Sequence, residues 1–299
     1  MVKKKNEESI HRFRALPSLS SALENDPDPM VHQQLARLKL LENRLNGQRV
    51  RILEFGSGFG FNCQYLSKLP GVEKVVGFDL KEEVVRVAQQ RYPDIEFFVA
   101  DACDLSLNIN AGEWDYVIAF EVIEHLKDKT IFLENMKKHL KNDGVAFIST
   151  PNRLTFSLGH KPSPINKEHL EELDLEELLI LLEKYFPYVE LVGQQFRRKE
   201  LLDAWKEDVI GKIQLLHSGV RWLNTASIRQ KLRRIKLIDR LYQIPLFQNA
   251  WKRLRWSVIG YFENQRAIKK RPYSYFDFEF VSYNFTDSLW FCAFLRLKQ

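Results

Sequence analysis

Cysteine is scarce in this chain, and long apolar runs are absent. The three cysteines stand far apart at Cys63, Cys103 and Cys292, which excludes a disulfide framework and a cysteine-rich zinc site. No stretch of 18 apolar residues occurs, so we expect no membrane-spanning helix. The first residues are basic but lack the apolar stretch of a signal peptide. We therefore expect a globular, cytoplasmic protein.

Negative charge is sparse in one segment, residues 197–272, where positive charge and tryptophan are concentrated. The segment contains 19 Lys or Arg but only 6 Asp or Glu, although the whole chain has a formal net charge of only +6. It also holds four of the six tryptophans. Such asymmetry suggests an anionic partner. Three interpretations stay open: a solvated helical cap, peripheral contact with an anionic inner-membrane surface, and contact with nucleic acid. The last is the least favoured because no RNA-binding module accompanies it.

The most informative stretch is the glycine-rich sequence Glu54-Phe55-Gly56-Ser57-Gly58-Phe59-Gly60. An apolar run at 50–53 precedes it, and a predicted helix at 62–68 follows it. A strand, a glycine turn and a helix in this order form the nucleotide-binding corner of doubly wound sheets, because glycine permits tight turning and close approach of a ligand. The turn contains no Lys or Arg to meet phosphate, and its spacing differs from the G-x-G-x-x-G of dinucleotide sites.

Acidic residues end the next three predicted strands as well. The strands at 74–79, 95–101 and 114–121 end in Asp79, Asp101 and Glu121, and a fifth strand is predicted at 144–152. Strands that alternate with helices indicate a parallel sheet, whose carboxyl ends lie at one edge. We therefore expect these acids to converge on one ligand.

Together these motifs resemble the class I S-adenosylmethionine (SAM) methyltransferases. The resemblance covers about residues 50–195 and the last strand. It implies a Rossmann-like α/β fold: a seven-stranded, mostly parallel sheet with an antiparallel last strand, and here a basic helical insertion. It also implies SAM as the cofactor, with Asp79 on the ribose hydroxyls and Asp101 on the adenine amino group. The residues expected around SAM are Glu54, Gly56, Ser57, Gly58, Gly60, Asp79, Leu80, Asp101, Ala102 and Glu121.

A Glu-x-x-Glu-His box at residues 121–125 narrows the resemblance. With the sequence Thr150-Pro151-Asn152-Arg153, it is similar to ubiquinone-pathway O-methyltransferases and to bacterial sugar- or glycan-modifying relatives. This implies O-methylation of a small molecule, a sugar or a lipid-linked glycan. Glu121 would lie beside the reacting end, and His125 or His169 would act as the base.

Two alternatives to that function stay open. Small-RNA 2′-O-methyltransferases use a similar box to hold a divalent metal, and the ligands carried over would be Glu121, Glu124, His125 and His169. We expect the site to work without a metal rather than with one. The chain could also be a non-catalytic SAM-binding scaffold, because a fold does not fix a function.

The sequence divides into four predicted segments. These are a loose arm at 1–29, a SAM-binding core at 30–196, the basic helical insertion at 197–272 and C-terminal strands at 273–299 that complete the sheet. Further helices are predicted at 30–46, 82–91, 129–140, 174–185, 199–216, 226–241 and 247–269, and further strands at 188–195 and 288–297. Residues 276–283 form either an edge strand or the hairpin partner of the last strand. The loop at 152–172 is expected to close over the acceptor.

Overall fold

The computed structural model describes residues 29–163, 165–217, 278–282 and 285–298. Residues 1–28 of the predicted arm and the helices predicted at 226–241 and 247–269 lie outside these ranges, so the domain boundaries stay predictions. Within the described ranges, no helix is both long enough and apolar enough to cross a membrane.

Strands and helices alternate through the core, as the apolar periodicity predicts. In chain order they are α1 (Pro29–Leu45), β1 (Val50–Phe55), α2 (Phe61–Leu66), β2 (Val72–Asp79), α3 (Glu82–Arg91), β3 (Glu96–Val99), β4 (Trp114–Phe120), α4 (Lys129–His139), β5 (Leu140–Pro151), α5 (Arg153–Phe156), α6 (Leu175–Glu183), β6 (Tyr188–Phe196), α7 (Lys199–His217), β7 (Phe278–Val281) and β8 (Trp290–Arg296). Short 3-10 turns occupy Ile123–His125 and Phe285–Asp287.

The strands form one sheet in the order β3-β2-β1-β4-β5-β8-β6-β7. Strands β1 to β5 are mutually parallel, and β8 runs antiparallel to both β5 and β6. Apolar side chains are buried on both faces of the sheet, in two large clusters packed under the helices. The α/β architecture and the antiparallel last strand are therefore as predicted, and the carboxyl ends of β1 to β5 share one edge.

The seven-strand prediction is wrong by one strand within the described residues. The additional strand is β7, which pairs antiparallel with β6 from Gly193 to Phe196. It is the edge strand rather than the hairpin partner of β8. Phe278 explains the pairing, because its ring is buried and lies 5.0 Å from the ring of Phe196 and 6.3 Å from that of Trp290.

Local capping sets the starts of two helices around the site. Asp128 accepts a hydrogen bond from the Ile131 amide and begins α4. Asp174 and Glu177 form a capping box that begins α6. The first cap fixes the connection from β4 to α4, and the second fixes the connection from the 152–172 loop to α6.

Candidate active site

The glycine turn has a left-handed backbone at each of its three glycines. Their φ angles are 68° at Gly56, 53° at Gly58 and 77° at Gly60, a region that side-chain-bearing residues rarely adopt. A Cβ at Gly60 would lie 2.5 Å from the Phe97 ring, and one at Gly56 would lie 2.6 Å from Val122. A Cβ at Gly58 would meet nothing within 4 Å. The outer glycines therefore permit packing, while the middle one borders open space.

Asp79 lies against this turn, as the strand-end pattern predicts. Its Oδ2 accepts from the Gly58 amide at 3.0 Å, and its Oδ1 accepts from the Lys81 amide at 2.9 Å. The next residue, Leu80, is 65% exposed. An acceptor and an apolar side chain thus stand side by side at the end of β2.

Glu54 lies beneath the turn rather than at its open side. The carboxyl is buried and accepts from Asn62 Nδ2 at 2.6 Å and from the Cys63 thiol at 3.0 Å. Burial, opposed in part by these two bonds, raises its pKa to about 7. Ser57 is also buried, and its hydroxyl has no hydrogen-bond partner among the described residues.

Asp101 and Ala102 follow β3 at the same edge of the sheet. Asp101 is exposed, and its Oδ1 accepts from the Cys103 amide at 2.8 Å. Ala102 is buried, and its carbonyl accepts from Asn135 Nδ2 at 2.9 Å. Helix α4 therefore fixes the backbone on which these two residues stand.

Glu121 follows β4 with a left-handed backbone, at φ 56°. Its Oε1 accepts from Ser149 Oγ at 3.0 Å and forms an ion pair with Arg37 Nη1 at 3.0 Å. Arg37 comes from α1 and is fully buried. Glu121 is thus tied to β5 and to the N-terminal helix.

The rest of the box forms a compact cluster with His169. One ligand-type atom from each of Glu124, His125 and His169 lies within 4.8 Å of the others, and Glu121 is not part of this group. The two imidazole rings meet edge to face at 4.8 Å between centroids. Glu124 Oε2 accepts from Thr150 Oγ1 at 3.1 Å, whereas its buried Oε1 has no partner among the described residues.

Both histidines of the cluster use Nδ1 for other bonds. His125 Nδ1 donates to the Glu168 carbonyl at 2.9 Å, and His169 Nδ1 lies 2.6 Å from Glu172 Oε1. Because a carbonyl or a carboxylate is the acceptor, each ring carries its proton on Nδ1 and leaves Nε2 as a lone-pair donor. The other oxygen of Glu172 accepts from Ser157 Oγ.

Burial controls protonation in this cluster. It raises the pKa of Glu124 well above its usual value, and the neighbouring Glu121 adds to the rise. It also lowers the pKa of His125. Burial therefore favours the protonated form of Glu124 and the uncharged imidazole of His125.

The 152–172 loop packs directly against the box. The amides of Leu170 and Glu171 both donate to the Glu124 carbonyl, at 2.8 and 3.1 Å. The His169 ring stacks on the Phe156 ring, with 5.8 Å between the centroids. The Trp205 ring of α7 also packs on Phe156, with 5.1 Å between the centroids. Helix α7 thus supports the loop that carries His169.

The donor set of the cluster fits a divalent metal. Glu124 contributes an orphaned buried oxygen, and the two rings contribute free Nε2 atoms, a one-carboxylate, two-imidazole set that suits zinc, manganese or iron. Of the four ligands carried over from the RNA methyltransferases, three converge. The fourth, Glu121, is held by Arg37 instead.

The structure places the sequence-predicted residues in two groups along one edge of the sheet. The first surrounds the glycine turn and the ends of β2 and β3; the second comprises the box and His169. Sequence reasoning missed three contributors, Arg37, Ser149 and Glu172. Glu172 offered one signal, because it lies three residues after His169, but nothing local marks Arg37 or Ser149 as neighbours of Glu121.

Family comparison agrees with this geometry. A family model described as a methyltransferase domain matches residues 11–207, more than half of the chain. The chain belongs to this family. Relatives of the chain are named as SAM-dependent methyltransferases.

Curated relatives match the methyltransferase over its core. A protein of Mycobacterium tuberculosis named "Probable S-adenosylmethionine-dependent methyltransferase" is 36% identical over 131 residues, 44% of this chain and 46% of the relative. The ubiquinone biosynthesis O-methyltransferase of Xanthomonas axonopodis pv. citri is 27% identical over 152 residues, 50% of this chain and 62% of the relative. The chain thus spans about half the length of the curated relatives it matches.

Solved structures are similar at a lower level. The YcgJ protein of Bacillus subtilis is 17% identical, with a TM-score of 0.46, over 60% of this methyltransferase and 83% of that chain.

Proposed function

We propose that this methyltransferase transfers the methyl group of SAM to a hydroxyl oxygen of a small molecule, a sugar or a lipid-linked glycan. The observation that carries the proposal is the hydrogen bond between His169 Nδ1 and the Glu172 carboxylate, with the His169 ring against His125. A buried, carboxylate-oriented imidazole is suited to taking a proton.

The chemistry of the transfer explains why a base is needed. The sulfonium already activates the methyl group, so the hydroxyl oxygen attacks the methyl carbon as the carbon–sulfur bond breaks and S-adenosylhomocysteine (SAH) leaves. The hydroxyl proton goes to His169 Nε2, and Glu172 stabilises the imidazolium that forms. Positioning supplies most of the remaining rate enhancement.

The cofactor is proposed to lie over the glycine turn. Gly58 borders open space there, and Asp79 offers carboxylate oxygens for the ribose hydroxyls. Leu80, the residue after Asp79, is exposed and is proposed to pack on the purine ring. Asp101 follows the next strand, β3. Glu54 supports the turn from beneath. Gly56, Ser57, Gly60 and Ala102 shape the same wall.

Apolar surface on the docked loop supports an acceptor with an apolar part. Leu154 is 56% exposed and Leu170 is 53% exposed, although both belong to the loop that packs against the box. A prenylated aromatic or a lipid-linked glycan combines such a part with a hydroxyl group. The relative named for ubiquinone biosynthesis agrees with this class of acceptor.

Label transfer from methyl-tritiated SAM tests the proposal. The acceptors offered are 3,4-dihydroxybenzoate, methyl glycosides and a polyprenyl-phosphate-linked sugar. We expect label on a hydroxyl of at least one of them. His169→Asn should lower kcat by about 10²- to 10⁴-fold, while the Kd for SAH stays unchanged.

The matched control is His160→Asn, an exposed histidine on the same loop. Glu172→Gln should reduce kcat as well, because it removes the charge that stabilises the imidazolium. Full transfer by the His169 variant would contradict the assignment of the base.

A metal-assisted reaction is the second candidate, favoured by the convergence of Glu124, His125 and His169. A bound divalent cation would supply a Lewis acid that lowers the pKa of the acceptor hydroxyl. Protons would compete with the cation for Glu124 and for both imidazoles, so metal affinity should rise with pH. Zinc titration followed by calorimetry on the wild type and on His125→Asn tests this candidate.

Membrane contact through residues 197–272 stays a proposal, together with a peripheral location on the inner membrane surface. Flotation with liposomes that contain anionic lipid, at low salt, tests it. Salt-sensitive retention of RNA would instead favour the nucleic-acid alternative.

A further inference from the structure

We propose that Arg37 is a positioning residue, which holds Glu121 so that the free oxygen of its carboxylate binds the α-ammonium group of SAM. The inference rests on the proposed placement of SAM at this edge of the sheet. Neither Arg37 nor its role follows from the motifs that identify the family.

Arg37 is a fully buried guanidinium on α1. Its Nε donates to Gln194 Oε1 at 2.7 Å, and the Gln194 amide in turn donates to the Gln33 carbonyl at 3.0 Å. The guanidinium lies 5.2 Å from the centre of the Trp290 ring. A guanidinium remains charged under all conditions, so burial of this group requires an anion. Glu121 supplies that anion at 3.0 Å.

The contacts of Glu121 divide its two carboxylate oxygens. Oε1 receives both donors, Arg37 Nη1 and Ser149 Oγ. Among the described residues, no donor to Oε2 is found, and the side chain is 23% exposed. Glu121 has a left-handed backbone, at φ 56°, directly after the end of β4. One oxygen is therefore fixed, and the other has no donor in the described part of the chain.

A carboxylate oxygen of Glu121 without a donor from the described residues, close to the glycine turn, suits a cation. The Val122 side chain lies where a Cβ of Gly56 would be, so the residue after Glu121 borders the glycine turn. SAM carries two cationic centres, the sulfonium and the α-ammonium, and the ammonium alone donates hydrogen bonds. Charge-assisted bonds of this kind are the strong ones. Arg37 is fully buried and cannot contact a ligand directly. Any effect it has on ligand binding must therefore act through Glu121.

Three ligands distinguish this role from two others, stabilisation of the fold and binding of the SAM carboxylate. SAM has the ammonium and the carboxylate, decarboxylated SAM keeps only the ammonium, and 5′-methylthioadenosine has neither. Affinities of the purified full chain are measured by calorimetry. We expect Arg37→Met and Glu121→Gln to weaken SAM and decarboxylated SAM by about 10- to 100-fold. The affinity for 5′-methylthioadenosine should stay within about twofold of wild type.

The double variant should bind SAM no more weakly than the weaker-binding single variant, because both substitutions remove the same interaction. Arg37→Lys serves as the second variant if Arg37→Met does not fold, and it should recover part of the affinity. The control is Arg44→Met on the same helix. Arg44 pairs with Glu190 at the surface, and neither residue belongs to the proposed SAM site.

The following outcomes would overturn the inference. Equal losses for all three ligands would show that Arg37 only stabilises the fold. Normal binding of decarboxylated SAM by both variants would assign the carboxylate, not the ammonium, to this side of the site. Additive losses would separate Arg37 from Glu121. Wild-type protein that binds none of the ligands would refute the proposed function as well, whereas unchanged SAM affinity in Arg37→Met refutes this inference alone.

Discussion

Glu54 makes the stability of the protein depend on pH, and the substitution Glu54→Gln can measure this dependence separately. Its carboxyl is buried beneath the glycine turn, and burial raises its pKa to about 7 from an ordinary value of 4.5. The folded chain therefore binds this proton more tightly than the unfolded chain does. Its contribution to the free energy of unfolding is fully present below pH 4.5 and is lost as the pH rises through about 7.

The magnitude follows from the shift. A displacement of 2.5 pKa units corresponds to about 3.4 kcal/mol over the whole range. Between pH 5 and pH 8 the linkage relation gives a loss of about 2.5 kcal/mol. Gln has the same shape and does not titrate, so Glu54→Gln removes this dependence. The amide oxygen of the new side chain can still accept from Asn62 Nδ2.

Urea denaturation at pH 5, 6, 7 and 8 measures the effect, with the free energy of unfolding compared between wild type and Glu54→Gln at each pH. From pH 5 to pH 8, the free energy of unfolding of the variant should rise by about 2.5 kcal/mol relative to that of wild type. Glu134→Gln, an exposed position on α4, is the matched control and should give a flat difference. A flat difference for Glu54→Gln too, or one that shifts in favour of wild type, would refute the reasoning.

Two further predictions concern the cofactor wall. Asp79→Ala should weaken SAM binding by about 1–3 kcal/mol in calorimetry because an acceptor for the ribose hydroxyls is lost; unaltered affinity would contradict that role. Gly60→Ala should lower Tm more than Gly58→Ala does, because its Cβ would lie 2.5 Å from the Phe97 ring whereas a Cβ at Gly58 meets nothing within 4 Å. Gly58→Ala should instead weaken SAH binding, and equal Tm losses in the two variants would argue against the open space at Gly58.

Local patterns predicted the core elements well. Helix α3 begins and ends where its apolar spacing places it, at Glu82 and Arg91. Strands β1, β2 and β4 end within one residue of Glu54, Asp79 and Glu121. Both results have the same cause: the period of the apolar residues is set by the element that buries them. The convergence of the acids then follows from parallel topology alone.

Contacts between distant segments could not be predicted in this way. Arg37 meets Gln194 across 157 positions, and no residue near either one indicates the other. The position of β7 is a similar case, because a four-residue strand with two phenylalanines fits an edge strand or a hairpin equally well. The sequence placed Glu172 at the end of the 152–172 loop, and its bond to His169 depends on how that loop folds back.

Strand β8 has a consequence for biosynthesis. It lies between β5 and β6 and pairs with both, although about 90 residues separate β6 from it in the sequence. While the ribosome is still translating that interval, the nascent sheet has two unsatisfied edges that could capture other chains. Completion of the sheet must wait until Trp290–Arg296 has emerged from the exit tunnel, so a chaperone that shields those edges would raise the yield of native protein.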